Sequence, residues 1–350
     1  MSFFAINCTL DPDERDSVVK KKLEGMRNGY SEVPFKEPLD GFVNALNMKL
    51  DAERIEVEGW LTPTPPDELR FMTTVENYVS FIDSNGCLEY ANKVRDVITS
   101  EISSEIGQIP ILVGVDHSLT GGAIEALAKE HGGENLRLVV FDSHFDFILP
   151  TIRCGLIQYD LETNPSTNFS PDDPYIFGRP DSYNADSFLH YVLKHLPPEN
   201  ILVVGVSDYP PPAAFEIDDE RVKRYLDYYT GIESQGVAVI KKENIKSYRD
   251  VVRAKLSNTD KPFTYVSIDV DVCSNTSLKG ARFLDYHGVD HRDLYWLMSA
   301  ISKSSNRSKL VGMDFMEFDV FSAGALFSGR RDRTYEIMAE AFRRLTIKRT

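Results

Sequence analysis

From about residue 107 onward, short apolar runs alternate with stretches whose apolar residues recur every three or four positions. The runs IPILVGV, LRLVVFD, NILVVGV, GVAVIKK, FTYVSID and KLVGMDF predict buried strands. Between them GAIEALAKEH, ADSFLHYVLKHL, DDERVKRYLDYY, YRDVVRAKL and RDLYWLMSAI predict helices, and RDRTYEIMAEAFRRL a closing helix. Such alternation predicts an α/β fold, a mainly parallel sheet with helices on both faces. Residues 1–106 are less regular: FFAINC predicts an edge strand, RIEVEGW another, LEYANKVRDVITSEI a helix, and LTPTPPDEL a surface turn. No internal repeat or low-complexity linker interrupts residues 1–350, so one elaborated domain is expected, with its core over 107–350. The segment 148–185, rich in Pro, Asn, Asp and Ser, predicts a long loop, and long loops that follow chemistry-bearing strands are more often functional than idle.

Acidic residues gather where the predicted strands end. FDSHFDF places Asp142, His144 and Asp146 directly after LRLVV, and in an extended segment such alternate residues share one face. GVDHSLTGG sets Asp116 and His117 after PILV, SIDVDVCSN sets Asp269 and Asp271 two apart, and GMDFMEFDVF carries Asp314, Glu317 and Asp319 after KLV. The carboxyl edge of a parallel sheet is where ligands bind in open α/β folds. His117, Asp142, His144, Asp146, Asp269 and Asp271 offer imidazoles and carboxylates without a thiolate, a donor set too rich in oxygen for structural zinc and suited to two divalent ions such as Mn²⁺. Two such ions held about 3.5–4 Å apart can bind and deprotonate a shared water.

Composition narrows the setting. No apolar run reaches the length of a membrane span, and MSFFAINCTLDPDERD lacks the basic start of a secretory signal. Four dispersed cysteines without a CxxC pair fit a reducing compartment, so a cytoplasmic location is expected. A net charge of −15 disfavours nucleic acid and anionic membrane surfaces.

These motifs resemble those of the ureohydrolase family of arginases and agmatinases, whose patterns are GGDHS, DAHxD and SxDxDxxDP; here they stand as GVDHS, DSHFD and SIDVDVCSN. The similarity runs in order over roughly residues 107–320 and extends to GVDHRDLYWLMSAI, which resembles GGLTxRE, and to the glutamate of GMDFMEF. The resemblance implies a three-layer α/β/α fold, two Mn²⁺ ions and hydrolysis of a guanidino group to urea and an amine. By position it assigns His117, Asp142, Asp146 and Asp269 to one ion and Asp142, His144, Asp269 and Asp271 to the other. It gives Glu317 the substrate guanidinium and Asp146 a proton-transfer role. A homo-oligomer is also expected.

The chain departs from the family where substrate is read. Ser274 and Asn275 stand where Asp-Pro continues the third motif. The loop histidine that precedes a glycine in arginases has its nearest match at Phe177–Gly178, leaving His287 and His291 as possible replacements. VGVSDYPPP keeps Asp208 for substrate but has Pro210 where arginases carry a second Asp that helps hold the free α-amino group. An arginine inside a peptide needs no such grip, and enzymes resembling arginases that make ornithine from peptidyl arginine exist. Peptide-bound arginine is therefore the favoured substrate, ahead of free arginine or agmatine. The alternatives are another C–N hydrolase on the same scaffold, acting on a formimino group or an amide, or an inactive regulatory homologue.

Overall fold

The computed structural model describes the chain apart from residues 1, 105–107, 172, 174–175, 258, 285–287, 304–306 and 347–350. Its main sheet is built from β1 (Ser2–Cys8), β2 (Asp51–Arg54), β3 (Gln108–Gly114), β4 (Leu136–Phe141), β5 (Ile201–Val206), β6 (Ala238–Lys241), β7 (Phe263–Asp269) and β8 (Lys309–Met316). These eight strands are parallel, in the order β2-β1-β3-β8-β7-β4-β5-β6. Side chains alternate between the faces, as the period of an extended chain requires. In β4, Leu136, Leu138 and Val140 join one hydrophobic core while Val139 and Phe141 join the other. Helices Gly86–Ser104, Thr120–His131 and Glu220–Ser234 cover the first core. Helices Pro38–Leu46, Arg249–Ser257, His291–Ser302 and Thr334–Thr346 cover the second, which makes three layers. The four motif-bearing strands β3, β8, β7 and β4 are neighbours at the centre of the sheet, so their carboxyl ends open onto one patch.

Several expectations are corrected. FFAINC forms β1, which is not an edge strand: it pairs with β2 on one side and β3 on the other. The edge belongs to β2, which stops at Arg54, so most of RIEVEGW lies beyond the strand. The helix expected over 185–196 shortens to Phe188–Val192. The segment 148–185 is not loop throughout, because Pro150–Thr163 is helical with Pro at its first turn, where a missing N–H does no harm. The N-terminal part also contains helices Asp16–Asn28 and Val75–Asp83, which the residue pattern did not suggest.

Candidate metal centre

Regular strand ends at Phe141, so the ligands of FDSHFDF do not share a face of an extended segment as expected. The chain turns instead, and Asp146 takes a left-handed φ of 51° that non-glycine residues seldom adopt. Gly205, at φ 111°, is what lets β5 pass close to this turn: a Cβ there would lie 2.8 Å from the Asp142 carbonyl oxygen. Asp269 closes β7, and Asp271 sits in the short turn Val270–Val272, capped by Asp269 Oδ1 accepting the Asp271 N–H at 2.7 Å.

The turns bring the side chains together. His117 Nδ1 lies 3.3 Å from Asp142 Oδ2, 3.1 Å from Asp146 Oδ2 and 3.2 Å from Asp269 Oδ2. His144 Nδ1 lies 3.1 Å from Asp271 Oδ2 and 3.5 Å from Asp142 Oδ1. Two ligand groups result, His117–Asp142–Asp146 and Asp142–His144–Asp271, and Asp142 belongs to both. The distances place Asp269 with the first group. All six residues singled out by sequence therefore converge.

Buried polar atoms are ordinarily satisfied, yet His117 Nδ1, Asp142 Oδ2 and Asp271 Oδ2 are buried without a hydrogen-bond partner. Burial and the neighbouring carboxylates hold Asp146 and Asp269 well above the usual carboxylate range. Burial disfavours a charged His117, but Asp142, Asp146 and Asp269 outweigh it and raise its pKa well above the ordinary value. Four carboxylates crowded around two imidazoles, with three of their buried atoms lacking a hydrogen-bond partner, fit a pair of divalent cations that would displace the protons held there.

Behind the first group runs a relay that sequence reasoning missed. His117 Nε2 meets Ser267 Oγ at 2.8 Å, and Ser267 donates its hydroxyl proton to Asp314 Oδ1 at 2.8 Å. Asp314 is fixed in turn by the Ile268 N–H and by the hydroxyls of Tyr265 and Thr120. With its proton committed, Ser267 can only accept from Nε2–H, which leaves Nδ1, facing the carboxylates, as the atom that would ligate an ion. Ser267 shares a strand face with Asp269 two residues on, a spacing that could have exposed it. Ser267→Ala should weaken metal binding about 10- to 100-fold, as loss of an outer partner typically does. Competition against a chelator checks this, and unchanged affinity would show that the serine sets no tautomer.

Glu317 follows β8, is buried and takes a left-handed φ of 65°. Its N–H bonds to Val115 O, which folds the turn back onto the end of β3, and its Oε1 accepts the His117 N–H at 3.2 Å. Burial, then the nearby Asp116 and Asp271, keep its carboxyl well above the ordinary range. A cavity of about 280 Å³ spans the ligands His144, Asp146, Asp269 and Asp271 and reaches Glu317 and Asp208. Arg153, Asp186, Tyr225 and Phe283 also line it, none of them marked by sequence. Phe177 lines neither this cavity nor its neighbour; Ala185 and Asp186 stand on the wall instead. His291 opens its helix with its backbone N–H donated to Ser277 Oγ and its Nδ1 beside the same hydroxyl, and it lines neither cavity; His287 lies outside the described residues.

Residues 51–344 match the model of the arginase family. The chain belongs to the arginase family. It is 23% identical over 244 residues to an arginase of Staphylococcus aureus (strain MRSA252), covering 67% of this chain and 70% of that one. To an arginase of Plasmodium berghei (strain Anka) it is 22% identical over 300 residues, covering 81% and 68%. The solved structure of the Entamoeba histolytica arginase in complex with L-ornithine aligns over 99% of this chain and 98% of that one, with a TM-score of 0.59 and 17% identity. Its fold is thus that of an arginase, the chain is an arginase-family metal-dependent amidinohydrolase, and its His/Asp groups suggest a binuclear metal site. Membership implies a guanidino substrate. Among the described residues no helix is long and apolar enough to cross a membrane.

Proposed function

We propose that the protein releases urea from a guanidino group carried on a body larger than free arginine, with arginine inside a peptide as the favoured substrate, ornithine as the residue left behind, and Mn²⁺ as the metal. The observation that carries this reading is spatial. The metal cavity shares Arg153, Ala185, Asp186, Phe283 and Glu317 with an adjoining second cavity of about 320 Å³, room that a guanidine alone does not need. Pro210 adds to it, since it offers no carboxylate two residues after Asp208 for a free α-ammonium, and the remaining nearby acid, Asp186, is already paired with Arg153.

In this reading His117, Asp142, Asp146 and Asp269 hold one ion, while Asp142, His144, Asp269 and Asp271 hold the other. When bound, such a pair lowers the pKa of water and supplies a nucleophile near neutral pH. The chain's own groups do the rest. Glu317 spends Oε1 on the His117 N–H, and its second oxygen is left to accept from the planar guanidinium and orient it. Water adds at the guanidino carbon, the bond to the substituted nitrogen breaks, and that nitrogen must gain a proton to leave as an amine. Asp146, beside the water-activating pair, would carry that proton.

The test is urea release by the Mn²⁺-loaded protein at a pH of about 8–9, comparing free arginine and agmatine with acetyl-Gly-Arg-Gly-amide. An unpaired α-ammonium costs on the order of 1–3 kcal/mol, so the peptide should exceed free arginine about tenfold or more in kcat/KM. Faster turnover of free arginine or agmatine than of any peptide would refute the peptide assignment and leave the amidinohydrolase standing.

A further inference from the structure

The second cavity has a composition of its own. Helix Pro150–Thr163 presents Pro150, Cys154 and Ile157 to it, positions that fall on one face at helical spacing. Val75, Ile82 and Ile176 face them from other parts of the chain. The cations at its rim are already engaged. Arg282 pairs with Asp11 and Asp13, Arg15 with Asp13, and Arg153 with Asp186. Arg179 bridges Glu14 at 2.9 Å and Asp83 at 2.8 Å. The Arg15 guanidinium also stacks 3.7 Å over the Phe283 ring, at the junction with the metal cavity. What remains unspent is apolar surface, with two buried acids, Glu317 and Asp116, also on its wall.

We propose that this outer cavity is a specificity subsite for an apolar group attached to the guanidino substrate: in a peptide, the apolar side chain of a residue next to the arginine. The inference rests on the peptide reading above and names what flanks the arginine. A cavity whose arginines are already paired offers nothing to an acidic neighbour, and its buried acids disfavour one outright. An aliphatic or aromatic side chain loses only water there. Because the cavity meets the reaction site at Glu317, that binding also holds the guanidinium in place.

The experiment is a series of peptides, acetyl-X-Arg-Gly-amide and acetyl-Gly-Arg-X-amide, with X as Leu, Phe, Gly or Asp, on the Mn²⁺-loaded protein. On at least one side Leu and Phe should exceed Gly roughly 10- to 100-fold in kcat/KM, with Asp below Gly. In Ile157→Asp that ratio should collapse toward one; Ile157→Ala should lower it part-way, with metal content and melting temperature recorded for both. Equal kcat/KM across X on both sides, or a ratio that survives Ile157→Asp, would overturn the subsite. If no peptide releases urea while agmatine does, the peptide reading has failed and the subsite is judged separately, with agmatine acylated by a hexanoyl chain. Its turnover above agmatine in the wild type but not in Ile157→Asp supports the subsite, and equal rates overturn it.

Discussion

Asp142→Asn should strip the protein of both metals and of activity together. The carboxylate is fully buried, its Oδ2 lies 3.3 Å from His117 Nδ1 and its Oδ1 3.5 Å from His144 Nδ1, so it is the group common to both ligand sets. An amide of the same shape keeps one oxygen but loses the charge that holds two dications side by side, and it turns an N–H₂ toward a ligand lone pair. The loss should exceed the roughly 10- to 100-fold cost of removing an outer partner such as Ser267. Metal content after gel filtration reads this directly. Asp269→Asn should act alike if Asp269 bridges as the family pattern implies; its Oδ1 is engaged by the Asp271 N–H, so a milder loss would place it with the first ion alone. Two metals retained by Asp142→Asn would mean the shared ligand is misassigned.

Glu317→Gln should leave the metals in place while kcat/KM falls on the order of 100-fold, since a hydrogen bond to an ionic partner contributes about 1.5–3 kcal/mol. The glutamine can still accept the His117 N–H and adopt the same turn, so the backbone should not move. What it lacks is the charge that pairs with a guanidinium. A left-handed non-glycine residue persists only where its surroundings over-determine it, and such residues cluster at functional sites. Unchanged kcat/KM with normal metal content would make Glu317 a structural residue.

The metal ligands were legible because they follow strands whose apolar runs are unmistakable, and the centre of a parallel sheet brings consecutive strand ends together. The mode of convergence was not legible. Asp146 reaches His117 through a left-handed turn that no residue type in FDSHFDF announces. FFAINC reads alike whether it is paired on one side or two, so the place of β1 inside the sheet depended on β2, a strand of exposed residues without apolar pattern. Helix Pro150–Thr163 escaped because it serves two cavities: Leu156 lines the metal side, Cys154 and Ile157 the outer side and Arg153 both, so no single apolar stripe results. Phe177, the nearest sequence match to a loop histidine, is an exposed residue, whereas Ala185 and Asp186 form the wall.

The central claim, a binuclear amidinohydrolase, is tested most directly by titrating the metal-free protein with Mn²⁺ while urea release from an arginine-containing peptide, arginine and agmatine is recorded. The expected result is activity that reaches its plateau at two ions per chain. A plateau at one ion, or two bound ions with no urea from any guanidine, would contradict it.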